Sequence, residues 1–114
     1  MHPALLRSLN LIATQCQDYQ LPVSVCGEMA GTPIGALLLI GLGFRQLSMS
    51  GRSLPRVKYL LRHLDPVMLQ PFMQQVLQAE TATEIKKLSS EFRWINSRRY
   101  LVSLRISLFY VGHK

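Results

Sequence analysis

Residues 21–49 read LPVSVCGEMAGTPIGALLLIGLGFRQLSM, and the fold turns on how this stretch is divided. Residues 21–26 form a short apolar run after a polar break, the pattern of a buried parallel strand. Residues 27–31 read as a loop, and Thr32-Pro33 as an N-cap with the first helical residue behind it. The apolar run from Ile34 predicts a helix that glycine stops at Gly41 or Gly43. Residues 44–49 give a second short strand roughly twenty residues after the first. Strand, crossover helix and strand at that spacing make a parallel pair.

Upstream, Ala4, Leu5, Leu6, Leu9, Ile12 and Ala13 repeat apolar residues at helical spacing, with Pro3 near the first turn, and predict a helix over residues 3–18. Downstream, residues 50–53 turn into the amphipathic segment LPRVKYLLRHL, whose stripe is Leu54, Val57, Leu60, Leu61 and Leu64. Asp65-Pro66 breaks that helix and opens another, with Met68, Leu69, Phe72, Met73, Val76 and Leu77 on one side. A last short helix runs from Thr83-Glu84 to about Phe92. Strands this apolar call for cover on both faces, and two strands cannot close a sheet, so the pattern is a slice of a larger α/β protein. In the tail, Tyr100, Val102, Leu104, Ile106, Leu108 and Tyr110 alternate like a strand that has no partner in this layout.

With 114 residues, 48% hydrophobic and 17% charged, the chain reads as folded and as at most one domain. It is far short of the roughly 250 residues of a closed eight-fold βα barrel. The net charge of +7 is uneven: Arg93, Arg98, Arg99, Arg105 and Lys114 face no acid after residue 91. A basic end suits nucleic acid, an anionic membrane or a solvated terminus, but no nucleic-acid-binding signature accompanies it, so no such partner is expected. Residues 34–42, the longest apolar stretch, are too short to cross a bilayer, and no signal peptide opens the chain. Cys16 and Cys26 have neither zinc-site spacing nor the density of a disulfide framework, which reads as cytoplasmic.

Cys26 carries the chemical interest. A thiol, with a reference pKa of about 8.5, serves as nucleophile, metal ligand or general acid, or it lies buried and inert. A nucleophile needs a base, and His2, His63 and His113 are scattered along the chain. The setting favours chemistry: a strand end, Gly27 for close backbone approach, and the carboxylate of Glu28. Cys16, in ATQCQDY, has only polar neighbours.

SVCGEMAG, LLLIGLG and QLSMSGRSLPRVKYLLR, in this order and spacing, resemble the end of the phosphoenolpyruvate-utilising barrel of bacterial Enzyme I and pyruvate phosphate dikinase. HPALLRSL and GRSLPRVKYLLR are most similar to the nitrogen-related paralogue of Enzyme I. The resemblance implies an α/β fold: a partial (β/α)8 TIM barrel holding the last two βα units, a preceding helix and trailing helices. Residues 1–92 would be the barrel fragment and residues 93–114 a divergent basic tail, whether a substituted terminus or a real extension.

By the same resemblance Cys26 is the proton donor to the enolate carbon of pyruvate, Gly27 and Glu28 shape the substrate loop, and Ser48, Met49 and Ser50 line the last strand's end. It further implies phosphoenolpyruvate and pyruvate as ligands, a small HPr-like phosphocarrier protein as partner and a homodimer. The magnesium ligands, the arginines that grip phosphate and the phosphorylated histidine would lie outside this chain, which alone would be inactive. A non-catalytic remnant or interaction module is the alternative. One departure stands beside the cysteine: the family usually has aspartate after Ala-Gly, and here the residue is Thr32.

Overall fold

The computed structural model describes residues 1–92 and 107–110. In chain order the elements are α1 (Pro3–Asp18), β1 (Ser24–Cys26), α2 (Glu28–Gly31), α3 (Pro33–Leu42), β2 (Gln46–Met49), α4 (Leu54–Arg62), α5 (Pro66–Gln78), α6 (Ala82–Glu91) and β3 (Ser107–Tyr110). The strands form one parallel sheet in the order β1-β2-β3. The fold is mixed α/β and mostly helical.

Local chemistry sets the helix ends. His2 Nδ1 accepts from the Ala4 N–H at 3.1 Å, Asp65 Oδ1 from Val67 at 2.9 Å, and Thr81 Oγ1 from Glu84 at 3.1 Å. Each satisfies a donor that a first turn otherwise leaves unpaired. Helix α3 ends on Gly43 at φ +109°, where the Gly43 N–H donates to Ile40 O at 3.0 Å and the Phe44 N–H to Leu39 O at 3.1 Å. That left-handed residue and crossed pair of bonds form a Schellman cap. Arg45 Nη1 takes up the remaining valence there, donating to Ile40 O at 3.0 Å and Phe44 O at 3.1 Å. Burial pushes its guanidinium pKa down, and these two bonds offset part of that desolvation.

Helix α3 is the centre of the molecule. Its residues 35–40 and Leu42 are all buried, because α1, α2, α4 and α5 pack around it. A helix covered on every side needs no polar stripe. Leu47 and Met49 of β2 join that core, as do Val57, Leu60, Phe72, Val76 and Ile85.

Four expectations need correction. Residues 27–31 are not all loop, since Glu28–Gly31 makes one helical turn that packs on α3. The sheet is covered on one face only: Leu47 and Met49 are buried, whereas Ser24 and Cys26 are exposed and Gln46 and Ser48 are half-buried. Met68 stays 41% exposed at the margin of the stripe Leu69, Phe72, Met73 and Val76. The tail does find a partner: β3 pairs in parallel with β2, Leu108 opposite Leu47 and Tyr110 opposite Met49. Tyr100, Val102, Leu104 and Ile106 lie outside the described residues.

Candidate functional site

Cys26 ends β1 opposite Ser48 of β2, so the two residues share the uncovered face at the carboxyl end of the sheet. Its thiol is free and exposed. Gly27 follows at φ +105° and ψ −169°, a conformation that side chains resist, although a Cβ there would meet nothing within 4 Å. Glycine is thus required for the bend and not for room. The bend turns the chain straight into α2 with Glu28 in its first position.

Thr32 locks this loop to the core helix. Its Oγ1 accepts from the Gly35 N–H at 3.1 Å and donates to Met29 O at 3.2 Å, so one hydroxyl caps α3 and holds the end of α2. A carboxylate at this position could accept but not donate. Gly35 allows the close fit: a Cβ on it would overlap the Met29 carbonyl oxygen. At the last residue of α2, a Cβ on Gly31 would sit 2.9 Å from Ser53 Oγ, which in turn lies 3.2 Å from Ser50 Oγ. The loops after β1 and β2 therefore approach each other closely at Gly31 and Ser53.

Between them lies a cleft of about 660 Å³. Cys26, Gly27 and Glu28 line it from one loop, and Ser48, Met49 and Ser50 from the other. All six were expected near the strand ends. Thr32, Ser53 and Arg56 also line it, and sequence reasoning gave them no site role. Their signal was the same one that drew attention to Cys26, a position just after a strand in an α/β unit. Cys16 lies half-buried on α1, outside this lining.

The cleft brings together one thiol, several hydroxyls, one cation and one carboxylate. It does not suit magnesium, which takes hard oxygen ligands in octahedral order. Glu28 is its one carboxylate, and among the described residues no three His, Cys, Asp or Glu side chains gather as a metal site. No described helix is long and apolar enough to cross a membrane.

The family model of the PEP-utilising enzyme, PEP-binding domain, matches residues 1–66, more than half of the chain. The chain belongs to that family. Among relatives of this PEP-binding domain, a Salmonella typhimurium protein named phosphoenolpyruvate-dependent phosphotransferase system is 48% identical over 92 residues, covering 81% of this chain and 12% of the relative. Its Escherichia coli namesake is 45% identical over 92 residues, with the same coverage of 81% and 12%. A Cupriavidus necator phosphoenolpyruvate-protein phosphotransferase is 39% identical over 93 residues, 78% of this chain and 16% of the relative. This PEP-binding-domain chain thus spans only 12% to 16% of the length of these curated relatives. β3 lies beyond the matched residues 1–66.

Proposed function

We propose that the chain is a C-terminal piece of a phosphoenolpyruvate-protein phosphotransferase of the Enzyme I type, in which Cys26 is the proton donor of the phosphoenolpyruvate/pyruvate site. The observation that carries this is the shared cleft of Cys26, Gly27, Glu28 and Ser48 at the carboxyl end of a parallel sheet. That end is where α/β enzymes gather substrate.

In the proposed step the Cys26 S–H bond breaks as a C–H bond forms at the enolate's terminal carbon. Pyruvate and a thiolate result, and solvent returns a proton to the sulfur. Gly27 lets the loop approach substrate, and Glu28 orders the loop. On this reading β1 with α2–α3 and β2 with α4 are the last two units of a (β/α)8 barrel. Residues 1–92 form the barrel piece and residues 93–114 a separate tail. Magnesium, the arginines that hold the phosphoryl group and the histidine that receives it belong to residues outside this chain. The small HPr-like phosphocarrier, the homodimer, the cytoplasmic setting and the nitrogen-related lineage belong to the same proposal.

A second reading has its own support. β3 occupies the edge of β2 on which a continuing barrel would add its next strand, which favours a self-contained, non-catalytic interaction module.

One experiment separates them. Residues 1–92 replace the matching segment of the Salmonella relative, and pyruvate formation from phosphoenolpyruvate is followed. An active chimaera that Cys26→Ala slows by about 10²- to 10⁴-fold, with Cys16→Ala unchanged, supports the proton-donor role. Equal turnover with Cys26→Ala, or loss with Cys16→Ala alone, refutes it. The chain by itself should release no pyruvate above a protein-free control.

A further inference from the structure

The family match stops at residue 66 and β3 lies beyond it, yet β3 takes the edge of β2 that faces away from β1. Four residues pair in register: Ser107 with Gln46, Leu108 with Leu47, Phe109 with Ser48 and Tyr110 with Met49. The pairing is parallel, which requires a long crossover to carry the chain back along the sheet. Helices α4, α5 and α6 lie between the two strands in sequence and supply it. In a (β/α)8 barrel every neighbouring pair of strands is parallel. β3 therefore runs in the direction of the strand that a continuing barrel would place beside β2.

Such a seat makes few demands on sequence. Strand addition is held by backbone bonds, so a segment outside the family match can fill it. The hold is also short. Four paired residues, against a usual strand of about five or six, make a ladder that a competing strand can replace. The place matters to the cleft as well: Cys26 pairs with Ser48 and Ser48 with Phe109, so one row of the sheet runs from the thiol-bearing residue to the tail. At the usual spacing between strands, Phe109 stands roughly 10 Å from Cys26 along that row.

We propose that β3 is an autoinhibitory strap: it holds the place of the next barrel strand on β2 and must leave before the chain can complete a phosphoenolpyruvate site. The inference rests on the reading of residues 1–92 as a barrel piece. With β3 seated, the chain is closed off as a separate module, and Cys26 stands without the residues that would hold the phosphoryl group. With β3 displaced, the same edge of β2 accepts a parallel strand of the remaining barrel.

The test compares chimaeras of the Salmonella relative that end at residue 92 or at residue 114 of this chain. A third keeps the whole tail but carries Leu108→Pro and Phe109→Pro together, which breaks the ladder whichever of the two residues bonds to β2. Pyruvate formation should be several-fold slower with the intact tail than with the end at residue 92, and the double proline variant should recover it. In the isolated full chain, hydrogen exchange at Gln46–Met49 should be slow at every chain concentration and faster in the double proline variant. Equal turnover of the first two chimaeras, while both are active, overturns the strap alone, and so does a slow third chimaera. Exchange that ignores the prolines overturns it too, as does protection that vanishes on dilution, which would assign the strand on β2 to a second copy. An inactive chimaera ending at residue 92 refutes the barrel reading, and the strap falls with it.

Discussion

Gly35 and Gly41 stand on the same helix, yet their missing side chains serve different neighbours. At Gly35 the obstacle is backbone, the Met29 carbonyl, which moves only if all of α2 moves. At Gly41 it is the flexible Met73 side chain. Gly35→Ala should therefore cost about 2–3 kcal/mol, and Gly41→Ala about 1 kcal/mol, measured by urea unfolding. Equal costs for the two substitutions would show that α2 is not held by this contact.

Among the elements, α3 has its two ends secured by different means, which can be tested separately. Thr32→Val removes both bonds of the hydroxyl and should cost about 1–2 kcal/mol. Thr32→Asp keeps the cap, gains from the helix dipole and loses the bond to Met29 O, so stability should change by less than about 0.5 kcal/mol. Arg45→Met at the other end should cost about 1 kcal/mol, since it leaves the Ile40 and Phe44 carbonyls short of a donor. Denaturant midpoints of the three variants check this ordering.

These ends were legible in the sequence because they depend on neighbours in the chain: Thr32-Pro33 announced the start of α3, and Gly41 or Gly43 its stop, of which the fold uses Gly43. Cys26 and the residues around it were legible as a motif. What stayed hidden depends on contacts across the fold. Met68 and Phe72 look alike in sequence, and only the position of α3 decides which is buried. Ser53 and Arg56 became cleft residues only once the turn after β2 had folded against α2. Residues 27–31 looked like loop because glycines bracket them, whereas packing on α3 winds the turn.

At the scale of the whole molecule the tail strand is the unforeseen part. Alternation revealed that Leu108 and Tyr110 belong to a strand, but pairing is non-local and left no mark on the sequence of β2. In a parallel ladder alternate residues donate to the neighbour, so one of Leu108→Pro and Phe109→Pro must remove a bond to β2. That variant should show faster hydrogen exchange at Gln46–Met49 and, with the edge opened, self-association in sedimentation. Unchanged exchange in both variants would mean that β3 gives β2 no protection.

The sheet with one bare face bears on how the molecule meets heat. A chain of 114 residues packed to the usual extent would unfold with a heat-capacity increment of about 1.4–1.7 kcal/mol/K. Here Val25 in the sheet is only half-buried and Leu5, Leu11, Ile12, Leu21 and Ile34 are largely hydrated already in the native state, so melting uncovers less new apolar surface. Calorimetry should return an increment below that range. The curve of stability against temperature would then be broad and shallow, with cold and hot unfolding far apart and little to separate the native state from the unfolded one between them.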